Sequence, residues 1–375
     1  MFINNMTLDG FRNYSNETAQ FVDGVNVIHG RNAQGKTNLI EAIFYLATGR
    51  AVRSASDKEL INFNRENAVI RAEIMSAGRK QTLEARLFRG RRRVLLANDV
   101  NLKSASELSG RLAVVQFGPD DLNMVKDGAV VRRKLMDNCL SQLRPGYSAA
   151  LIDFNKLYEH KTRILRDHFE KPSLLNLLDD FNQQLAEQNA KLIYYRAAFA
   201  EGLSRRATNI HKEFSDETEN LTIKYKTVRD MPANEMKPNE ILNELLEHQK
   251  EKYQAELRSG LCLSGSHKDD LIIEINDISA RKFASQGQAR TASISIKLAE
   301  RDMHFDNLGE YPVLLLDDVL SELDSTRRDY VLSKIKSGQI FITGCDEKIV
   351  TNAKNSIMIR VENGKIDTTT KETME

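Results

Sequence analysis

The chain has 375 residues, enough for two or three domains, and its 54 Lys+Arg against 53 Asp+Glu leave a net charge of +1. The composition (41% hydrophobic, 29% charged) is that of a folded protein, no apolar run approaches the roughly 18 residues of a membrane-spanning helix, and the first residues do not resemble a secretory signal. The three cysteines (Cys139, Cys262, Cys345) are far apart and favour neither disulfides nor a zinc site, so we expect a cytoplasmic protein. These features exclude a secreted mini-protein and a membrane protein. Because the net charge is only +1, any nucleic-acid surface must be a local basic cluster.

The first predicted element with a chemical role is a phosphate-binding loop. Residues 25–40 read VNVIHGRNAQGKTNLI, which is an apolar strand, the pattern G-x-x-x-x-G-K-T and a helical continuation. In this pattern backbone N–H groups and the helix N-terminus face phosphate oxygens, Lys36 adds a full positive charge, and the Thr37 hydroxyl can ligate Mg²⁺. An ordinary glycine-rich turn is the alternative.

Apolar runs predict strands in both flanks of the chain: ENAVIRAEIM, KQTLEARLF, LAVVQF, DLIIEIN and YPVLLLDD. The segment RLFRGRRRV places five arginines between Arg86 and Arg93 on a predicted hairpin. Guanidinium groups that contact phosphates give sequence-independent, salt-dependent DNA binding. The candidate DNA contacts are Arg50, Arg53, Arg89, Arg91, Arg92 and Arg93. A solvated surface that binds no DNA is the alternative for each.

The middle of the chain is predicted to be helical. Gly202 is the single glycine between Tyr147 and Ser259, and apolar residues recur every three or four positions over 178–199. The fold class is therefore α/β. We expect one lobe assembled from both chain ends, residues 1–118 and 261–375, and a mostly helical lobe over 119–260.

A serine–glycine turn precedes the predicted helix TASISIKLAERD. Its residues, Ser285-Gln286-Gly287-Gln288, are similar to the signature loop of ABC-type ATPases, which contacts the γ-phosphate of a nucleotide held on another subunit. In isolation, the pattern is equally typical of a helix N-cap.

Two acids end the last apolar strand of the pattern, PVLLLDD at 312–318. Asp317 is placed to hold the Mg²⁺ hydration shell, and Asp318 to orient or deprotonate the attacking water. The tetrapeptide SELD, at 321–324, follows directly. Together with the phosphate-binding loop, these residues predict nucleotide hydrolysis.

The motif order resembles the RecF family of bacterial recombination-repair proteins. The resemblance rests on FRNY at 11–14, GRNAQGKTN, GSHKDD at 265–270, SQGQ, LLLDDVLSELD and FITG at 341–344. It implies an ABC-type P-loop ATPase head related to SMC proteins, with a short arm in place of their long coiled coil. It further implies a homodimer formed on ATP that binds double-stranded DNA, favours gapped or junction DNA, and helps RecO and RecR to load RecA in the response to DNA damage.

The resemblance assigns site residues position by position. The nucleotide-binding residues are Arg12, Asn13, Gly30, Arg31, Asn32, Ala33, Gln34, Gly35, Lys36, Thr37 and Asn38, with Ser285, Gln286, Gly287 and Gln288 contributed by the other subunit. The catalytic candidates are Asp318, Lys36 and Gln116, the metal candidates Thr37, Asp317 and Gln116, and the dimer contacts Asp324 and Ser285. Thr343 stands where most ABC ATPases have a histidine.

Two other classes of ATPase share part of the pattern. A transporter ATPase subunit usually has its signature loop much closer to the P-loop, whereas Lys36 and Ser285 are about 250 residues apart. A structural SMC-like tether would need far longer coiled-coil arms, and a small-molecule kinase would need neither SQGQ nor SELD. The sequence thus predicts a weak, DNA-stimulated ATPase whose hydrolysis of ATP resets DNA binding.

Overall fold

The computed structural model describes residues 1–52, 56–344 and 355–369. Tertiary contacts divide the chain into two compact units. The first contains Met1–Leu122 and Lys297–Glu375, and the second contains Asn123–Ile296. Residues 261–296, which the sequence analysis placed with the ATPase lobe, group with the second unit. Among the described helices, none combines the length and apolarity needed to cross a membrane.

The described residues form fifteen strands and eight α-helices. In chain order these are β1 (Phe2–Phe11), β2 (Tyr14–Gln20), β3 (Val25–His29), α1 (Lys36–Thr48), β4 (Asn67–Ser76), β5 (Arg79–Phe88), β6 (Val94–Ala97), β7 (Val100–Asn101), β8 (Val114–Phe117), α2 (Ala129–Leu143), α3 (Pro145–Asp167), α4 (Leu178–Phe214), β9 (Leu221–Lys226), α5 (Pro238–Ser259), β10 (Asp270–Ile275), β11 (Ile278–Ser279), α6 (Ala280–Phe283), α7 (Gln286–Leu308), β12 (Val313–Leu316), α8 (Ser325–Lys334), β13 (Ile340–Thr343), β14 (Ser356–Glu362) and β15 (Lys365–Thr369). Short 3₁₀ turns lie at Asp57–Leu60, Ala105–Leu108, Pro119–Asn123, Pro172–Leu177, Val228–Asp230, Ser266–Lys268 and Val319–Glu322.

The first unit contains an antiparallel sheet with the strand order β2-β1-β4-β5-β6-β7. Side chains alternate between its two faces, so β4 buries Ala68, Ile70, Ala72 and Ile74 on one face. The strand predicted at ENAVIRAEIM is therefore confirmed as β4. The hairpin predicted at RLFRGRRRV is present, since β5 and β6 pair antiparallel on either side of its turn.

The second sheet of this unit positions the candidate site. Its order is β15-β14-β3-β13-β12-β8, and all its strand pairs are parallel except β14 with β15. The carboxyl ends of β3, β12 and β13 lie at one edge, which is where ligands bind in parallel α/β sheets. Helix α1 follows β3 and is almost wholly buried; its Leu39 and Ile43 pack in one core with residues of both sheets, such as Ile70 and Phe341.

The second unit contains α2 to α6, the first part of α7 and a small antiparallel sheet ordered β11-β10-β9. The helix predicted over 178–199 is present within α4, and α3 and α5 are further long helices of the same unit. Strand β9 lies inside the stretch expected to be helical, and it pairs with β10 over six residue pairs. This pairing explains why DLIIEIN groups with the second unit. Helix α4 has 37 residues and is about 56 Å long.

A buried ion network holds the GSHKDD segment in this unit. Arg196 of α4 donates to Asp269 (2.7 Å) and to the backbone oxygen of Ser266 (2.7 Å), and both charged side chains are at most 2% exposed. Asp269 also accepts from Tyr225 and Thr227. Removing one partner of a buried ion pair typically costs about 3–5 kcal/mol, because the other charge is left without compensation. We conclude that this acid of the motif has a structural role.

Candidate nucleotide-binding site

A cavity of about 290 Å³ lies at the N-terminus of α1. The residues that line it come from the phosphate-binding loop, α1 and the residues after β12: Asn32, Ala33, Gly35, Lys36, Thr37, Asn38 and Asp318. All of them were candidate site residues in the sequence. The structure thus brings the predicted catalytic acid, Asp318, and the phosphate-binding loop to one cavity.

Lys36 is fixed at this cavity by loop oxygens. Its Nζ atom donates to the backbone oxygens of Gly30 (2.7 Å) and Arg31 (3.1 Å), and to Asn32 Oδ1 (3.5 Å). The side chain is only 7% exposed. Its positive charge is therefore held beside the loop, where it can compensate phosphate charge.

The two metal candidates Thr37 and Asp317 are in direct contact, although 280 residues separate them in sequence. The Thr37 hydroxyl donates to Asp317 Oδ1 at 3.2 Å, and Asp317 is buried. Hydroxyl and carboxylate oxygens are ligands that Mg²⁺ prefers, so this pair fits the predicted metal. Gln116, the third candidate, lies in β8 opposite Leu315 and is not among the residues that line the cavity, so its role stays a prediction.

Asp318 adopts a left-handed backbone conformation directly after β12 (φ 56°). Its backbone N–H donates to the Thr343 hydroxyl at 2.9 Å, and its backbone oxygen accepts from Ser321 at 2.6 Å. Gly344 leaves room for the carboxylate, since a Cβ atom there would lie 1.8 Å from Asp318 Oδ1. The end of β13 thus shapes the pocket around this acid, a role that the sequence analysis did not assign to Gly344.

The turn between β1 and β2 contacts the same region. Arg12 donates to both carboxylate oxygens of Glu41 in α1, at 2.9 and 3.1 Å, and Asn13 Nδ2 donates to the backbone oxygen of Gln34 at 2.7 Å. Asn38 in turn donates to Asn13 Oδ1 at 2.8 Å. The sequence analysis did not identify Glu41. Nothing in the residues around it in α1 indicates an ion pair with Arg12, which is 29 residues away in the sequence. A nucleotide contact by Arg12 stays a prediction.

The predicted signature loop lies in the second unit, at the N-terminus of α7. Ser285 Oγ accepts from the N–H of Gln288 (3.1 Å), and Gln288 Oε1 accepts from the N–H of Ser285 (2.8 Å). This reciprocal pair is a capping box, so the helix-cap interpretation is confirmed. Ser285 and Gln286 are exposed, Gly287 is half-buried, and a contact of this loop with another subunit's nucleotide stays a prediction.

Asp324, the predicted dimer contact, caps α8. Its carboxylate accepts from the backbone N–H of Arg327 at 3.0 Å and pairs with the guanidinium of the same residue. These bonds lower the pKa of Asp324, the backbone hydrogen bond most. The residue is exposed and negatively charged at neutral pH.

Some arginines of the cluster make hydrogen bonds or ion pairs within the first unit, whereas others are exposed. Arg89 donates to the backbone oxygens of Asn62 and Arg65, and Arg93 pairs with Asp57 at 2.9 Å. Of the candidate DNA contacts in this cluster, Arg91 and Arg92 are exposed, and Arg91 stacks 3.7 Å over the ring of Phe88. Arg50 is half-buried, and Arg53 lies outside the described residues. Two of the candidate cations therefore have structural bonds inside the first unit.

Comparison with known proteins identifies the family. Residues 2–368 match the family model for the RecF/RecN/SMC N terminal domain. The DNA replication and repair protein RecF of Acetivibrio thermocellus is 36% identical over 367 residues, which cover 97% of this chain and 99% of that protein. The chain belongs to the RecF family.

Solved structures extend this result. Two structures of the recombination mediator protein RecF in the RecFOR pathway, RecF-ATPrS and RecF-ATP, superpose with TM-scores of 0.90 and 0.88. Each is 32% identical, and the match covers 98% of both chains. A Pyrococcus furiosus Smc head domain bound to the C-terminal domain of ScpA superposes with a TM-score of 0.54 at 15% identity, over 98% of this chain and 96% of that one. The likeness to the Smc head shows a shared fold alone.

Proposed function

We propose that the chain binds ATP with Mg²⁺ at this cavity and acts as an ATP-dependent, double-stranded DNA-binding clamp in recombinational repair and replication restart. The contact between Thr37 and Asp317 carries the proposal, because it joins the phosphate-binding loop to the acidic strand end. Lys36 and Asp318 line the cavity beside this pair. The relatives named as DNA replication and repair proteins, and the RecF-ATP structure, support the same nucleotide and process.

Each polar group at the cavity has a distinct task in this proposal. Lys36 compensates the charge of the β- and γ-phosphates, and bound Mg²⁺ would be held by Thr37 and Asp317 and would neutralise developing charge. Asp318 orients and deprotonates the attacking water. Hydrolysis is slow and DNA-stimulated, and it resets the protein for a new DNA-binding cycle.

A second copy of the chain completes the site. The cavity residues belong to the first unit, whereas Ser285 lies on the exposed N-terminus of a 23-residue helix whose partial positive charge favours a phosphate. We therefore propose that ATP drives homodimerisation and that Ser285, Gln286, Gly287 and Gln288 act on the nucleotide of the partner, with Asp324 at the dimer contact. The protein acts in the cytoplasm, where its partners are RecO and RecR and, indirectly, RecA. Its preferred DNA contains a single-strand gap or a junction between single-stranded and double-stranded DNA.

Retention on immobilised DNA tests this function. The wild-type protein is applied to plain and gapped duplexes with ATP and Mg²⁺, with ADP and Mg²⁺, or without nucleotide. We expect retention with ATP and release with ADP, and no retention of Lys36→Met under any condition. Equal retention in all three conditions would contradict the clamp and indicate a passive DNA-binding protein.

A further inference from the structure

Two successive carbonyl groups of the phosphate-binding loop accept hydrogen bonds from outside the loop. The backbone oxygen of Gln34 accepts from Asn13 Nδ2 (2.7 Å) and from the backbone N–H of Gly364 (3.2 Å). The backbone oxygen of Gly35 accepts from the Tyr14 hydroxyl at 2.9 Å, in addition to the α1 hydrogen bond from the N–H of Leu39 at 3.1 Å. The donors other than Leu39 come from the β1–β2 turn and from the β14–β15 turn, at opposite ends of the chain.

Such bonds determine the direction of the loop N–H groups. In a planar trans peptide, the C=O and the N–H of the same peptide unit point in opposite directions. A donor that fixes the oxygen of Gln34 therefore also fixes the N–H of Gly35. The Tyr14 hydroxyl, together with the N–H of Leu39, likewise fixes the N–H of Lys36 through the oxygen of Gly35. Gly35 and Lys36 both line the cavity.

Burial, hydrogen bonds and close packing hold the donors in place. Tyr14 is fully buried, and burial raises the pKa of its hydroxyl, which stays a protonated donor at neutral pH. The N–H of Asn363 donates to Gln34 Oε1 at 2.6 Å, so the β14–β15 turn holds Gln34 by two bonds. Gly364 adopts a φ of +70°, and a Cβ atom there would lie 2.2 Å from the backbone oxygen of Asn13. The two turns and the loop thus fit together without space for a side chain.

We infer that the Tyr14 hydroxyl and the Asn363–Gly364 turn are positioning groups for phosphate binding. They turn the Gly35 and Lys36 N–H groups toward the phosphates, and they contact no phosphate themselves. This inference rests on the proposed function, since it assumes that ATP occupies the cavity. It assigns a role in nucleotide affinity to the β14–β15 hairpin, more than 320 residues after the phosphate-binding loop.

Tyr14→Phe is the first variant, because it removes one hydroxyl and keeps the ring. The Kd of the full chain for a fluorescent ATP analogue with Mg²⁺ should rise roughly two- to ten-fold, the equivalent of one net hydrogen bond. Tyr45→Phe is the matched control. Tyr45 is also fully buried, and its hydroxyl accepts from Arg93 rather than contacting the loop. Its Kd should stay at the wild-type value.

Gly364→Ala is the second variant, and Gly78→Ala is its control. Both glycines have a φ of +70°, but a Cβ atom at Gly78 would meet nothing within 4 Å. The backbone strain of the two substitutions is therefore similar, and only Gly364→Ala pushes the turn away from Asn13. We expect both to lower Tm, and only Gly364→Ala to raise the Kd.

The outcomes separate this inference from the proposed function. If the wild-type chain binds the ATP analogue but Tyr14→Phe and Gly364→Ala keep its Kd within two-fold, the positioning role is overturned and the function stands. A loss of Tm in the variants with an unchanged Kd would also overturn it, because the contacts would then be structural only. If Gly364→Ala does not fold, the comparison of Tyr14→Phe with Tyr45→Phe decides. A wild-type chain that fails to bind ATP would contradict the proposed function and this inference with it.

Discussion

The Thr343 hydroxyl donates a 2.8 Å hydrogen bond to Asp317 Oδ1. The same carboxylate oxygen accepts from Thr37, and the same Thr343 oxygen accepts from the backbone N–H of Asp318. One buried threonine at the end of β13 therefore holds both acids of the site. We expect these bonds to orient the Asp317 carboxylate and the backbone of Asp318.

Thr343→Val removes this hydroxyl and keeps the shape of the side chain. The N–H of Asp318 is then left without this acceptor, and a buried group that loses its hydrogen bond costs about 1–3 kcal/mol. We expect lower stability in urea titrations and slower ATP hydrolysis. Thr343→Ser keeps the hydroxyl and should retain most of the activity. Equal rates in the Val and Ser variants would show that the hydroxyl does not orient the acids.

Asp318→Asn removes the proposed catalytic base and keeps the backbone, because asparagine tolerates the left-handed conformation at this position. We expect the rate of ATP hydrolysis to fall about 10²–10⁴-fold, with ATP binding preserved. The ATP-bound dimer and its residence on DNA should be prolonged. Lys36→Met should instead weaken nucleotide binding itself. Normal turnover in Asp318→Asn would remove this residue from the catalytic set.

Two substitutions of Ser285 separate its roles as helix cap and as signature residue. Ser285→Asp keeps a good N-cap but adds a negative charge opposite the phosphate, and Ser285→Arg loses the cap. We expect both variants to bind ATP and to stay monomeric in light-scattering measurements in which the wild type dimerises. A Ser285→Asp protein that dimerises like the wild type would argue against a phosphate contact in trans.

The exposed arginines are the best candidates for the DNA surface. The slope of log K against log salt is negative, and each phosphate contact that is lost should reduce its magnitude by about 0.9. Arg91→Ala with Arg92→Ala should therefore flatten the salt dependence and weaken binding similarly for all duplex sequences, with ATP-driven dimerisation intact. Arg93→Ala, which breaks the pair with Asp57, should lower Tm and leave the slope unchanged. An unchanged slope in the double variant would place the DNA path elsewhere.

Acidification should destabilise the second unit through His267. Burial lowers the pKa of His267 to about 4, against an ordinary value of 6.5, and the ring nitrogen Nε2 donates to the backbone oxygen of Cys262. Between these two pH values, the unfolded chain binds a proton that the folded chain does not. Stability therefore falls as the pH drops through this window, by up to about 1.4 kcal/mol per pH unit. His267→Gln should reduce the slope in urea titrations between pH 6.5 and 4.5, and an identical slope would exclude this residue as its source.

The sequence predicted those parts of the fold that depend on short segments. Alternation in ENAVIRAEIM predicted β4, and the phosphate-binding pattern together with two acids after an apolar strand predicted the cavity residues. Each of these signals lies within a short segment. The phosphate-binding loop and the two acids could be placed together because both are expected to bind the same phosphate and metal.

Contacts between distant polar residues were not predictable. Strand β9 reads LTIKYK inside a helical stretch, and it is stabilised by pairing with β10 some fifty residues later. The bond between Tyr14 and Gly35 and the pair of Arg93 with Asp57 depend on side-chain directions that only the folded chain defines. A cluster of arginines in sequence therefore does not reveal which of them remain exposed.

A mixing experiment tests the composite site most directly. Lys36→Met chains keep Ser285 but cannot bind ATP well, and Ser285→Arg chains bind ATP but cannot act on the nucleotide of a partner. One of the two sites in a mixed dimer combines an intact Lys36 with an intact Ser285. We predict that each variant alone is inactive and that an equimolar mixture hydrolyses ATP well above the sum of the separate rates. A mixture no more active than its components would contradict an ATPase site shared between two subunits.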